Sequence, residues 1–299
     1  MFNSFAETCL YLDFPEEAVE SLGFQYNKIT QDGKASDFIT KVYEDYKNDC
    51  LSASLYTLQN SFEKICQEID VHSYQSQMIF YLCLVPALYE KYQKRAIPLE
   101  IFRDSMADLR CKLFECHRLF GIWGSFVAVW FARFFNFTLY GIGRLEFAPY
   151  ECDYDYEENG ITIKKGDPVI DVHIPSRGRL PHEEVVDSYK KAYEFFKNHL
   201  KITPLAFVCE SWMLFPKHEE IIPEAKNLMD FYRDYTIVKE GLYPGGDDLW
   251  RIFYCFVKDN FDIIPKKTYV QRQYADFLEN GGVSGWGMGI CPVSRVIRE

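Results

Sequence analysis

The chain has 299 residues, 48% of them hydrophobic and 17% aromatic, so it can bury two ordinary domain cores and is not a disordered protein. Its net charge of −11 argues against a nucleic acid partner, because a phosphate backbone is bound by clustered lysine and arginine. Ten cysteines without a C-x-x-C pair, and an N-terminus without an export signal, indicate a cytoplasmic protein with reduced thiols. The oligomeric state stays open.

Two stretches bear on membrane and metal binding, and both favour an ordinary buried helix. The apolar run at residues 119–131 is thirteen residues long, whereas a transmembrane helix needs roughly 20. Cys111, Cys116 and His117 share one predicted helix, but no second pair follows at the spacing of a tetrahedral zinc site. The sequence therefore predicts neither a membrane partner nor a metal.

Residues 1–135 are predicted to form an all-helical N-terminal domain. The motif D-F-P-E-E at residues 13–17 is typical of a helix start, because proline suits the first turn and Asp13 or its neighbour can cap it. Apolar residues recur every three or four positions, which predicts further helices at residues 35–46, 51–69, 75–92 and 99–110. We expect the most apolar of these, 75–92, to run through the middle of the domain.

From Asn136 onward the pattern changes to alternation, so residues 136–299 are assigned to a second domain. Residues 137–147 are predicted to form one strand bent by two glycines, and the turn signal at 158–160 predicts a hairpin. A strand at 168–174, a short loop, a helix at 181–200 and a strand at 205–214 follow. A strand that leads through a loop into a helix N-terminus is a common way to offer backbone N–H groups to a phosphate.

The last part of the chain continues the mixture of helices and strands. We predict helices at 222–234 and 269–278, and strands at 236–238, 250–257 and 289–296. The glycine-rich segment 281–289 is not a P-loop, since no Lys-Ser/Thr follows and it leads into a strand. We predict a hairpin or bulged loop there that carries Trp286. The fold class is therefore α+β.

Several motifs carry a resemblance to a known family. They are G-R-L-E-F at 143–147, V-H-I-P-S-R-G at 172–178, C-E-S-W-M-L at 209–214 and G-G at 281–282. In this order they resemble bacterial acyltransferase-domain proteins, and the resemblance covers essentially the whole chain. Those proteins pair a helical N-terminal domain with a GNAT-like C-terminal domain of mixed sheet. The resemblance implies the same fold here, and transfer of an acyl group from acyl-coenzyme A.

The resemblance also implies a coenzyme site. In GNAT enzymes the loop after the fourth strand holds the coenzyme pyrophosphate with its backbone amides at a helix N-terminus. Carried over to this chain, the coenzyme-binding residues are Ile174, Ser176, Arg177, Gly178 and Arg179. The two arginines add positive charge, but the loop has a single glycine and Pro181 removes one possible donor. A polar turn with exposed arginines is the alternative interpretation.

Direct acyl transfer to an amine needs a base for the ammonium, donors for the oxyanion and an acid for the leaving thiolate. His173 is the candidate base, or else a histidine bonded to a neighbouring element. Glu146 is a second candidate base, or an ion-pair partner of Arg144. Ser211 is the candidate acid or a substrate contact, or else a satisfied core hydroxyl. Cys209 is not favoured as a covalent nucleophile, since nothing near it in sequence lowers its pKa.

Two functions are consistent with these residues. In the first, the chain is a cytoplasmic N-acyltransferase that moves an acyl group, expected to be acetyl, from acetyl-CoA or another acyl-CoA to a small-molecule or peptide amine. In the second, the GNAT-like fold has lost its coenzyme site and serves as a non-catalytic ligand-binding or regulatory module. The paired arginines and the strand–loop–helix order favour the first function, and the single-glycine loop favours the second.

Overall fold

The computed structural model describes residues 2, 4–158, 160–246, 248–257 and 264–297. The chain divides into two compact units, Met1–Gly141 and Ile142–Glu299. Over the part of the chain that is described, no helix is both long and apolar enough to cross a membrane. Each unit is built around its own buried side chains, as described below.

The first unit is helical, as predicted. Its helices are α1 (Phe5–Tyr11), α2 (Glu16–Gln31), α3 (Gly33–Lys47), α4 (Leu55–Glu68), α5 (Ser73–Lys94), α6 (Leu99–Phe120) and α7 (Ala132–Phe135), with a 3-10 turn at Ala128–Phe131. The side chains of Ser4, Asp32 and Ser54 accept hydrogen bonds from first-turn N–H groups and so fix where α1, α3 and α4 begin. α5 buries side chains around most of its circumference and packs against α1, α2, α3, α4 and α6. It is therefore the central helix of this unit, as its apolar sequence predicted.

Two predictions in this unit were wrong in detail, and one helix was missed. Residues 119–131 do not form a helix, because α6 ends at Phe120 and Gly121 takes a left-handed conformation at φ 70°. The chain then runs irregularly into the 3-10 turn. The cap of α2 is Pro15 without a side-chain hydrogen bond, and Asp13 has a positive φ of 54° outside the helix. Finally, α1 was not predicted at all.

The second unit contains a mixed sheet, as predicted. Its strands are β1 (Tyr140–Ile142, across the division between the units), β2 (Leu145–Glu151), β3 (Tyr156–Glu158), β4 (Ile161–Ile163), β5 (Pro168–His173), β6 (Ala206–Ser211), β7 (Thr236–Leu242) and β8 (Gly285–Pro292). Its helices are α8 (His182–Phe195, continued by a π turn at Phe196–Leu200), α9 (His218–Ile221), α10 (Lys226–Arg233), α11 (Leu249–Phe253), α12 (Tyr269–Glu279) and α13 (Val293–Val296), with a 3-10 turn at Trp212–Leu214. Six strands form one sheet in the order β1-β2-β5-β6-β8-β7, while β3 and β4 form the predicted hairpin. β5 and β6 are parallel, and β2–β5, β6–β8 and β7–β8 are antiparallel.

Several element predictions in this unit need correction. Residues 137–147 form two strands, β1 and the start of β2, because the chain turns at Gly143. Residues 250–257 are not a strand: Leu249, Ile252 and Phe253 are buried at helical spacing in α11. The final strand begins at Gly285 and ends at Pro292, and α13 occupies 293–296. Asn159, in the predicted turn of the hairpin, lies outside the described residues.

Trp286 lies near the start of a strand of the sheet and not in a hairpin or bulged loop. It belongs to β8 and pairs with Gly241 of β7, whose missing side chain leaves room for the indole. The glycines of β8 reflect close packing, since a Cβ on Gly287 would lie 2.0 Å from the carbonyl oxygen of Leu214. The glycine-rich sequence was therefore a signal of close approach and not of a turn.

The two faces of the sheet are covered differently. On one face, α8 packs its Tyr189 ring against Phe207, with ring centroids 4.6 Å apart, and against Phe147 at 6.3 Å. On the other face, the β3–β4 hairpin covers one end of the central strands. The residues buried there are Cys152, Tyr156, Ile163, Val169, Ala206, Val208 and Ile290. The carboxyl ends of β5 and β6 extend beyond this second cluster, and the candidate site lies there.

Candidate active site

The candidate site is built around the place where the two parallel strands stop pairing. β5 and β6 pair at Ile170–Phe207 and Asp171–Val208. The strands themselves continue to His173 and Ser211. Backbone groups along such an opening can accept an extended ligand in place of a neighbouring strand. The sheet therefore offers a cleft next to the predicted catalytic residues.

His173 and Glu146 come together on one face of the sheet. They are directly opposite each other in the antiparallel β2–β5 ladder, so their side chains point the same way. Asp171, two residues before His173, lies on the same face, and its Oδ2 is 2.8 Å from His173 Nε2. About a quarter of each of these two side chains is exposed, whereas Glu146 is buried. A histidine bonded to a carboxylate at a partly open position can take up and release a proton.

The two polar residues at the end of β6 point in different directions. Val208 pairs with Asp171, so Glu210 shares the face of Asp171 and His173, where it is exposed. Ser211 alternates to the opposite face, and its Oγ accepts a hydrogen bond from the N–H of Met213 at 3.1 Å. The Ser211 hydroxyl hydrogen is not used by that bond. Ser211 is thus a cap of the 3-10 turn, next to the cleft but not beside His173.

Cys209 has the properties of a structural thiol. Its side chain is 1% exposed, and burial raises its pKa well above the ordinary value. The charges of Asp171 and Glu210 raise it further. A thiolate is therefore disfavoured at this position, which agrees with the low rank that the sequence gave to covalent catalysis.

The predicted coenzyme loop leaves β5 and enters the N-terminus of α8. Ser176, Gly178 and Arg179 are exposed, and Gly178 has φ +84°. Ile174 is half-buried. The side chain of Arg177 is directed into the protein, where Nη1 donates to the carbonyl oxygen of Gly143 at 2.9 Å. Arg179 is consequently the more exposed of the two predicted arginines.

Two residues of this region were not recognised from the sequence as part of the site. Asp171 is the carboxylate partner of His173, and alternation within one strand could have revealed it, since i and i+2 share a face. Arg144, interpreted from the sequence as an ion-pair partner of Glu146, donates three hydrogen bonds to backbone carbonyls of the loop. Nothing in the sequence indicates that contact, because it joins segments more than 30 residues apart.

The chain matches two known domain families in sequence. Residues 3–137 match the N-acyltransferase N-terminal domain, and residues 139–291 match the GNAT-like C-terminal domain. This chain belongs to the family of acyltransferases with a GNAT-like C-terminal domain. The pairing of a helical N-terminal domain with a GNAT-like C-terminal domain was thus identified correctly from the motifs, and the two matched ranges follow one another along the chain. No curated protein matches the sequence.

Solved structures of acyltransferases are similar to this chain in fold. An acyltransferase in complex with decanoyl-CoA and teicoplanin superimposes with a TM-score of 0.72 at 20% identity, covering 96% of this chain and 87% of that one. A mutant acyltransferase in complex with octanoyl-CoA gives 0.71 at 19% identity, covering 96% and 86%. A complex with CoA and 10C-teicoplanin gives 0.66 at 17% identity, covering 97% and 99%. The likeness extends over both units of this acyltransferase.

Proposed function

We propose that this N-acyltransferase takes its acyl group from an acyl-CoA and transfers it directly to an amine. The observation that carries the proposal is the family match over both domains in order. Support comes from the similar structures, which are complexes with octanoyl-CoA, decanoyl-CoA or CoA. These ligands favour a medium-length acyl chain over the acetyl group that the sequence analysis expected. In the proposal the loop at residues 174–180 holds the coenzyme.

The proposed reaction forms a carbon–nitrogen bond and breaks the carbon–sulfur bond of the thioester. His173, held by Asp171, takes the proton of the acceptor ammonium, and the free amine then attacks the thioester carbonyl. The attacking nitrogen loses its second proton as the carbon–sulfur bond breaks. The departing thiolate takes a proton from the Ser211 hydroxyl, the proposed donor, and the proton lost by the nitrogen restores that hydroxyl. Glu146 lies buried opposite His173 on the same face of the sheet and adds a carboxylate beside the proposed base.

The proposed acceptor approaches the face of the sheet that carries His173. Asp171, Glu210 and Glu146 lie on that face, so it attracts a positively charged ammonium. The similar structures with teicoplanin make this glycopeptide a reasonable test acceptor, alongside simple primary amines and peptide α-amines. A small-molecule or peptide amine is the class that we propose.

The test is calorimetric titration with acetyl-, octanoyl- and decanoyl-CoA, followed by measurement of released CoA thiol with each acceptor. We expect octanoyl- or decanoyl-CoA to bind more tightly than acetyl-CoA, and thiol to be released in proportion to acylated amine. Absence of binding by every acyl-CoA would overturn the proposal and favour the non-catalytic module. Thiol release without acylated amine would overturn transfer to an amine while keeping the coenzyme.

A further inference from the structure

Arg144 connects three segments that meet at the proposed coenzyme loop. It follows Gly143 in the turn between β1 and β2, and only 7% of its surface is exposed. Its guanidinium donates to three carbonyl oxygens of the loop: Nη1 to Pro175 at 2.9 Å, Nη2 to Gly178 at 3.1 Å and Nε to Arg179 at 3.0 Å. A planar guanidinium with its donors in a fixed fork can hold several carbonyls in one arrangement.

The direction of these carbonyls determines the direction of the neighbouring amides. In a trans peptide the N–H points opposite to the C=O of the same peptide plane. The N–H groups of Ser176, Arg179 and Leu180 therefore point away from the Arg144 guanidinium. Among the described residues, none accepts a hydrogen bond from these three N–H groups. Arg144 thus turns the carbonyls of the loop inward and its amides outward, just before the N-terminus of α8.

A second set of contacts fixes Arg144 itself. Its backbone N–H donates to Ser188 Oγ at 2.7 Å, and that hydroxyl donates to the carbonyl of Glu184 in α8. Gly143 has φ +63°, and a Cβ there would lie 2.6 Å from Ser188 Oγ, so the turn needs glycine. Arg177, in the loop, also contacts this turn, because its side chain donates a hydrogen bond to the carbonyl oxygen of Gly143. The turn, the loop and the first turns of α8 are held as one unit.

We infer that Arg144 is a positioning residue for coenzyme binding, which acts by orienting the loop amides toward the pyrophosphate without touching the coenzyme. The inference rests on the proposed function, because it assigns a role within the proposed acyl-CoA site. Lysine cannot replace Arg144 fully, since an ammonium lacks the planar fork and cannot hold three separated carbonyls in the same way. We expect the loss to fall on binding of the pyrophosphate, because the loop amides are the groups that Arg144 orients.

The experiment compares two ligands that differ only in the nucleotide part. Octanoyl-CoA and octanoyl-pantetheine are titrated calorimetrically into the wild-type protein, Arg144→Lys and Arg295→Lys. Arg295 is the matched control, because it also donates to a backbone carbonyl, that of Asp234 at 2.9 Å. Thermal unfolding of each variant reports whether the fold is kept. Hydrogen exchange of peptides covering residues 174–181 reports the loop itself.

In Arg144→Lys we expect the dissociation constant of octanoyl-CoA to rise about ten- to a hundredfold, the size expected for lost charge-assisted hydrogen bonds. The constant for octanoyl-pantetheine should change by less than about twofold, and Arg295→Lys should leave both unchanged. Loop amides should exchange faster in Arg144→Lys than in the wild type. An equal loss for both ligands, or no loss for either, would overturn the positioning role while leaving the acyl-CoA site of the wild type established. No binding of octanoyl-CoA by the wild type would instead refute the proposed function and the inference with it.

Discussion

Two histidines of the second unit show how differently one residue type is used in this fold. His173 lies at the end of β5, partly exposed, with Asp171 as its partner at 2.8 Å. His218 is fully buried near Trp212, Phe215 and Tyr274, where Nε2 meets the Tyr274 hydroxyl and Nδ1 is 3.3 Å from the carbonyl oxygen of Met213. Burial lowers the pKa of His218 to about 4. The first is the proposed base, and the second is a neutral part of the core.

The comparison teaches that accessibility and the kind of partner decide the role of a histidine. A carboxylate partner stabilises the imidazolium, whereas a tyrosine hydroxyl and a peptide carbonyl inside an apolar cluster serve the neutral ring. The sequence gives little warning of the difference. His173 stands between Val172 and Ile174 and yet is partly exposed, whereas His218 stands between Lys217 and Glu219 and yet is buried. The predictions below test the two roles separately, from the largest expected effect to the smallest.

Replacing His173 should give the largest effect on activity. His173→Gln removes the proposed base, so we expect kcat for acyl transfer to fall by about 10²- to 10⁴-fold. The midpoint of thermal unfolding should stay close to that of the wild type, because the side chain is partly exposed. The matched control is His199→Gln in the π turn at the far end of α8, which should keep full activity. Full activity in His173→Gln would contradict the proposed base.

Replacing His218 should lower stability and leave activity unchanged, the opposite of what we expect for His173. His218→Ala leaves a cavity and removes the hydrogen-bond partner of the buried Tyr274 hydroxyl, so we expect a loss of about 3 kcal/mol in the free energy of unfolding. Urea denaturation measures the loss, and Tyr274→Phe, which removes the hydroxyl alone, should cost less. The kcat per folded molecule should be unchanged. A large loss of kcat in a folded His218 variant would show that this cluster takes part in the reaction.

The lowered pKa of His218 predicts a dependence of stability on pH. The unfolded chain takes up a proton on this residue near pH 6.5, whereas the folded chain does so only near pH 4. The contribution of His218 to the free energy of unfolding is therefore fully present above pH 6.5 and is lost as the pH falls toward 4. The loss is at most about 3 kcal/mol. Urea denaturation between pH 4 and 7.5 should show a steeper fall in the wild type than in His218→Ala. If the free energy of unfolding falls equally steeply with pH in both proteins, His218 is not the group responsible.

Replacing Glu210 should give the smallest effect, a modest rise in KM for the acceptor. It is exposed on the face of His173 and contributes charge without a buried contact. Glu210→Gln should raise KM for a cationic acceptor about two- to fivefold at low salt and leave kcat unchanged. Lys217→Gln at the start of α9 is a control for the change of charge. An unchanged KM for every acceptor at low salt would remove the acidic face from the acceptor path.

Much of the architecture could be predicted from local sequence signals. The strand at 168–173 and α8 follow from alternation, the prolines at 175 and 181 and the apolar stripe of α8. The helical first unit follows from three- and four-residue spacing. These elements were predictable because buried side chains recur at every second residue in a strand and at every third or fourth residue in a helix.

The wrong predictions share a physical cause, which is that tertiary packing decided the outcome. The apolar run at 250–257 fits either a strand or a short helix, and the burial of Leu249, Ile252 and Phe253 selected the helix. The glycines around Trp286 suggested a turn, but β8 uses them to approach the chain after β6. The contacts of Arg144 with the loop could not be predicted for the same reason, since they depend on how distant segments meet.

The role of the loop at residues 174–180 is the central claim, and hydrogen exchange tests it most directly. The wild-type protein is labelled with and without saturating octanoyl-CoA, and the exchange of peptides covering residues 174–181 is compared with that of peptides elsewhere in the second unit. We expect the coenzyme to protect amides of this loop and of the first turn of α8, with little change around His218. Calorimetrically confirmed binding that leaves the loop amides unprotected would contradict the account and move the coenzyme to another part of the acyltransferase.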